Sequence, residues 1–336
     1  MRWRLGGTGP GPVLLYFILY RGARERDRGR LPPRRGTSQA KEPRLSKPSA
    51  NNNLTGAVCM LLSAFFFALV GVFIKLAGPA VGVWQISFYR ALVGILLMLG
   101  LSGCLRVAIL GPNLRLLIIR GLSGTIGFLS MILALRQIPL AEVMVLFFLF
   151  PAFAALFSPW VNDERVARQD WLLIGLAFAG TLVILLPDGG LHLRLGHLCA
   201  LVTSVLAGLN TALVRRLAGQ HSPYCIYFFF CLAAAAVSIW PLALGAEPLI
   251  PSGTGLMYLA AIGVAATIGQ VLMNQGFYHL PATEGGVVLM SQIIIAAAWG
   301  VLFFGEPLTW RLILGGGLIM AGGAGLGRRA KAKALG

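Results

Sequence analysis

From Leu54 onward the chain alternates long apolar runs with short polar or Gly/Pro interruptions. The interruptions are Gly78-Pro79, Gly111-Pro112-Asn113, Ile138-Pro139, Asn162-Asp163-Glu164-Arg165, Pro187-Asp188-Gly189-Gly190, Ser222-Pro223, the stretch from Gly245 to Gly255, Leu280-Pro281 and Glu306-Pro307. The runs between them fall near residues 54–76, 84–101, 114–135, 140–160, 171–187, 196–217, 223–244, 255–278, 282–304 and 309–327. Each is about 17 to 24 residues long, which at about 1.5 Å of rise per residue suffices to cross a hydrocarbon core about 30 Å thick. A chain in lipid must satisfy its own backbone hydrogen bonds, so runs of this length predict ten transmembrane helices.

The pattern repeats. Pro139, Glu142, Glu164, Gly175 and Gly180 recur as Pro281, Glu284, Glu306, Gly317 and Gly322, all displaced by one constant interval, and Leu76-Ala77-Gly78 recurs as Leu217-Ala218-Gly219 at nearly the same one. Each copy holds five spans. Because five is odd, the second copy enters from the opposite face, the inverted topology associated with alternating-access carriers. The expected fold is therefore an all-α polytopic membrane protein of ten transmembrane helices in two inverted five-helix repeats. The expected organisation is a disordered basic tail over residues 1–53, repeats over 54–187 and 196–327, and a basic tail over 328–336.

Charge changes the picture in two ways. Hydrophobic residues make up 57% of the chain and charged ones 12%, about half the charged share of a soluble domain, which excludes a water-soluble fold. The net charge of +17 is concentrated, since residues 1–53 hold twelve of the 28 Lys and Arg residues and three acids. That tail is rich in Arg, Pro, Gly and Ser and cannot repay the entropy of folding. The charge thus belongs to the tail and loops, and no nucleic-acid partner is expected; lipid and a small solute are. With the N-terminus in the cytoplasm, Arg106, Arg115, Arg165, Arg168, Arg215, Arg216, Arg328, Arg329, Lys331 and Lys333 share that side against Arg136, Arg194 and Arg311 opposite, so the positive-inside rule places both termini in the cytoplasm. A cell (inner) membrane location and a possible homodimer complete these expectations.

The ordered motifs resemble the drug/metabolite transporter superfamily, in its ten-span branch with two EamA domains. The resemblance rests on Phe88-Tyr89-Arg90, Arg120-Gly121, Ile138-Pro-Leu-Ala-Glu142 with Phe150-Pro151-Ala-Phe153, and Asn162-Asp-Glu164, then on Leu280-Pro-Ala-Thr-Glu284 and Phe304-Gly-Glu306 in the second copy. It implies a secondary transporter of a small polar or amphipathic metabolite, whether amino acid, nucleoside-type metabolite or drug. The alternatives are a nucleotide-sugar or S-adenosylmethionine exchanger, or a non-transporting receptor or scaffold. The second copy has no arginine matching Arg90.

An ionisable group within a span costs about 2.5–3.5 kcal/mol on insertion scales, so it faces the bundle interior or water. Arg90 is read as an anion-binding residue of a central cavity, or as a structural arginine that caps carbonyls or pairs with Glu142. Arg120 lies shallower in its span, where snorkelling to the headgroups makes it structural. Neutral polar and aromatic candidates for the pocket are Trp84, Tyr89, Asn210, Gln270, Asn274, Gln275 and Gln292. Glu142 and Glu284 open repeat-related spans and are candidates for ion coupling, or first-turn acids held by the helix dipole. Pro151 is expected to kink the fourth span. The five cysteines and four histidines show no metal-ligand spacing and no hydrolase motif, so neither a metal, a cofactor nor an enzymatic activity is expected.

Overall fold

The computed structural model describes residues 50–105, 113–162, 167–185, 194–217, 221–279 and 282–335. The tail expected over residues 1–53 lies outside them except for its final stretch from Ala50, which already belongs to the first helix. All regular elements among the described residues are helical: α1 (Ala50–Ala77), α2 (Val83–Leu105), α3 (Leu114–Leu135), α4 (Leu140–Phe147), α5 (Phe150–Asn162), α6 (Arg168–Leu185), α7 (Leu195–Leu217), α8 (Pro223–Ala243), α9 (Gly253–His279), α10 (Ala282–Leu289), α11 (Ser291–Phe304) and α12 (Trp310–Leu335), with a short 3-10 turn at Gly78–Ala80. Among the described residues, nine helical runs are long and apolar enough to cross a membrane, counting α4 with α5 and α10 with α11, and α12 adds a shorter apolar stretch, Trp310–Leu326. Only a third to a half of each of the nine apolar windows is buried inside the protein. The remainder presents side chains such as Leu172, Ile294 and Leu302 outward, a surface suited to lipid.

Two spans are broken, at repeat-equivalent positions. The fourth divides at Phe148 and Leu149, and the ninth at Met290. Tighter backbone bonds bridge both breaks: the Leu149 N–H donates to the Leu146 carbonyl at 3.2 Å, and the Ile293 N–H to the Met290 carbonyl at 3.0 Å. Phe148, Leu149 and Met290 are all buried, which is where membrane proteins tolerate irregular backbone. Pro151 does not kink a continuous helix. It is the second residue of α5, where its missing N–H leaves no helical bond unmade.

The repeats interleave. Numbering makes αn and αn+6 equivalent, and the main packings obey that exchange: α1 lies on α9, α10 and α11, while α7 lies on α3, α4 and α5. Helices α2 and α8 pack on each other, as do α6 and α12, and α3 on α8 is matched by α9 on α2. Even single hydrogen bonds are mirrored. Ser63 Oγ donates to the Gly269 carbonyl at 2.8 Å, and Thr203 Oγ1 donates to the carbonyl of Gly127, the first-repeat mate of Gly269, at 3.1 Å.

Glycine permits the closest of these approaches. A Cβ on Gly180 would meet the Gly315 carbonyl oxygen at 2.5 Å, and one on Gly322 the Leu173 carbonyl oxygen at 2.7 Å, whereas Cβ atoms on Gly175 and Gly317 would meet nothing within 4 Å. One substitution should therefore have opposite effects at the two kinds of site. Gly180→Ala and Gly322→Ala are expected to lower the thermal unfolding midpoint in detergent, at about 1–3 kcal/mol each for overpacking. Gly175→Ala and Gly317→Ala should hold or raise it by removing glycine from a helix.

Candidate functional site

Arg90 on α2 and Arg120 on α3 begin from opposite ends of the bundle, because the two helices run antiparallel. Each lies about two turns, or about 10 Å of helix, inside the start of its helix, so they stand on either side of mid-depth. The Arg90 guanidinium lies 4.2 Å from the ring centroid of Phe128 and 5.1 Å from that of Phe230, and the Arg120 guanidinium lies 5.2 Å from the same Phe230 ring. One phenyl ring thus lies within cation–π range of both cations. Phe230 belongs to α8 of the second repeat, so the shared contact is made between the repeats.

Two buried guanidiniums lack a counter-charge. Nε and Nη1 of both arginines are buried without a hydrogen-bond partner. The described carboxylates are engaged elsewhere: Glu142 with His197, Asp170 with Arg329, and Glu306 with Lys75. Glu247 accepts from the N–H groups of Trp84 at 3.3 Å and Gln85 at 3.0 Å. The pairing of Arg90 with Glu142, one of its two structural readings, is not formed. Arg120 does not snorkel outward: Gly124, one turn along α3, leaves the space its Nη1 occupies, where a Cβ would come within 2.4 Å. Two further groups close this cluster. Tyr227 Oη is buried without a well-formed hydrogen bond, and Cys231, fully buried, stands in the second repeat about where Arg90 stands in the first.

The remaining sequence candidates lie around this cluster or at one end of the bundle. Asn210 Oδ1 accepts from Ser123 Oγ at 2.8 Å, within a turn of Arg120 along α3. Gln270 Nε2 donates to Asn274 Oδ1 at 3.4 Å along one face of α9, and Gln275 Oε1 faces Cys59 Sγ at 4.0 Å. Gln292 Nε2 points to Met144 Sδ at 3.2 Å, linking the two broken spans. Trp84 sits at the start of α2, and the Tyr89 hydroxyl donates to the Leu249 carbonyl at 3.0 Å, so both lie near the segment between α8 and α9. The Glu284 side chain lies outside the described residues.

That same end of the bundle is tied by further polar contacts. Lys75, near the end of α1, pairs with Glu306, which follows α11, and the second Glu306 oxygen accepts the Leu140 N–H at the start of α4 at 2.8 Å. His197 Nδ1 accepts the Arg194 N–H at 3.1 Å, which leaves the proton on Nε2 to face Glu142 Oε2 at 3.3 Å. Arg136 donates to the Val81 carbonyl. Burial draws its pKa below the ordinary value and Glu247 opposes that shift.

The EamA-like transporter family matches the chain twice, over residues 54–186 and 194–327. This chain belongs to that family. Among its curated relatives, the pseudopaline exporter CntI of Pseudomonas aeruginosa (strain UCBPP-PA14) is 30% identical over 280 residues, covering 82% of this chain and 97% of that protein. Human solute carrier family 35 member G1 is 24% identical over 285 residues, covering 80% of this chain and 78% of that one. A solved crystal structure of a protein superposes with a TM-score of 0.58 at 21% identity, covering 83% of this chain and 98% of its own; that likeness concerns the fold. Membership makes the protein a multi-pass transporter and not an enzyme.

Sequence reasoning named Arg90 but read Arg120 as structural, and it did not single out Phe128, Phe230 or Glu247. The usable signal for Arg120 was Gly124 one turn later, a slot on the same helix face. The tie at the bundle end gives its own expectation. Lys75 and Glu306 side chains are only 16% and 11% exposed, so Glu306→Ala, which strands a shielded cation, should cost about 3–5 kcal/mol. The double variant Lys75→Met/Glu306→Leu should recover most of that loss in a thermal-unfolding double-mutant cycle.

Proposed function

We propose that this protein is a secondary transporter of a small organic anion, carried by alternating access of the two repeats around Arg90 and Arg120. The observation that carries the reading is a pair of buried guanidiniums with free N–H groups and no described carboxylate beside them. A charge held in this way is expensive inside a membrane and marks a substrate or ion path. The guanidinium fork matches a carboxylate or phosphate edge, and the Phe128 and Phe230 rings lie within cation–π range of it. The amide groups of Asn210, Gln270, Asn274, Gln275 and Gln292 offer neutral hydrogen-bonding capacity on the surrounding helices, and Trp84 and Tyr89 stand toward one mouth.

Export is the favoured direction, supported by the relative named as a pseudopaline exporter. The cell membrane, with both termini in the cytoplasm, is the location favoured by the positive-inside count. The test is a thermal-shift screen of the purified full-length protein against carboxylates, phosphate esters, nucleosides, zwitterionic amino acids and organic cations, since a ligand that binds the folded state raises its apparent stability. Anions are expected to stabilise the wild type, and Arg90→Ala and Arg120→Ala should each reduce the shift while remaining folded. Stabilisation by cations or neutral solutes alone, or an anion shift untouched by both substitutions, would reject the reading.

A further inference from the structure

We infer that the site selects a ligand bearing two negative charges, a dicarboxylate or a phosphate-type dianion, over monoanions and zwitterions. This inference rests on the anion-carrier reading and deepens it.

Charge balance decides the class. Arginine stays protonated throughout the accessible pH range, so Arg90 and Arg120 give the cluster two fixed positive charges. Among the described side chains nothing offsets them, because Glu142, Asp170, Glu247 and Glu306 are all held by other partners. A monoanion leaves one cation unbalanced in a poorly screened interior. A zwitterion adds an ammonium to a field that is already positive. A dianion cancels both.

Geometry sharpens the class. The Phe230 ring lies against both guanidiniums, at 5.1 and 5.2 Å, and Phe128 against Arg90 at 4.2 Å. The N–H groups of each guanidinium are what it offers an anion, and Nε and Nη1 are buried and unpartnered in both. Two guanidiniums beside a single phenyl ring suit two anionic groups on a short chain, or one compact dianion drawn between them. The buried Tyr227 hydroxyl stands in the same cluster. The second repeat places Cys231, not a third cation, at the position equivalent to Arg90, which holds the count at two.

The test uses probes matched in size and differing in charge. Binding of succinate, its half-amide succinamate and its diamide succinamide is measured by titration calorimetry on the full-length protein in detergent, with inorganic phosphate titrated across its second ionisation as a compact probe. Succinate is expected to bind at least about tenfold more tightly than succinamate, succinamide should not bind, and phosphate affinity should climb as the dianion forms. Arg120→Gln should reduce the preference for succinate over succinamate to less than about threefold by weakening succinate alone, since one positive charge is then left to balance. Succinamate binding as tightly as succinate, with both lost in Arg90→Gln, would overturn the dianion inference and leave the anion reading standing. Absence of binding by succinate and phosphate alike at millimolar concentration, or binding indifferent to both arginines, would overturn the two together.

Discussion

Apolar side chains gain little by leaving lipid for a protein interior, so helices within a bilayer must be held by close van der Waals contact and by hydrogen bonds. That constraint organises the molecule. Gly180 and Gly315 bring α6 and α12 together so closely that a methyl group at either would strike the other's carbonyl oxygen. The Ser63–Gly269 and Thr203–Gly127 bonds tie α1 to α9 and α7 to α3 across the repeats. Because the most extensive packings join one repeat to the other, the space between the copies is the interior of the protein.

The cluster at Arg90 and Arg120 follows from this interleaving. Each arginine comes from the first repeat, while the ring they share comes from α8 of the second. Relative motion of the repeats would therefore change the surroundings of both cations together. The broken spans sit deep in the same interior, at Phe148–Leu149 and Met290. At one end, the Lys75–Glu306–Leu140 contact and the Glu142–His197 contact tie helices of opposite repeats. An inverted repeat gives such ties equivalents at the other end, where Arg216, the mate of Lys75, donates to the Val161 carbonyl.

Much of this was legible in the chain. Span count, duplication and the family resemblance rest on local length and on spacing, which survive without tertiary information. The break in the fourth span was half legible: Pro151 marked the place, but it starts a new helix. The break in the ninth span carries no proline, and its signal was the repeat itself, which maps Phe148 onto Met290. The path of the Arg120 side chain was not legible, because depth along a helix does not give the direction of a side chain. Its course is set by Gly124 and by Phe230 on a helix of the other repeat, and no local pattern connects them. The roles of Glu247 and His197 as partners of distant helix starts were invisible for the same reason. The amides were found by their cost in lipid, and their contacts now show Asn210 beside the Arg120 turn and Gln292 between the broken spans.

The central claim is that the two arginines lie uncompensated beside Phe230 in order to hold an anion. Its most direct test is an experimental structure of the full-length protein with a heavy dianion, tungstate, located by anomalous scattering. The account predicts a peak between the two guanidiniums, within hydrogen-bond distance of Arg90 or Arg120 N–H groups and beside the Phe230 ring. Tungstate located elsewhere in the bundle, with Arg90 and Arg120 each paired to a carboxylate of the protein, would contradict it.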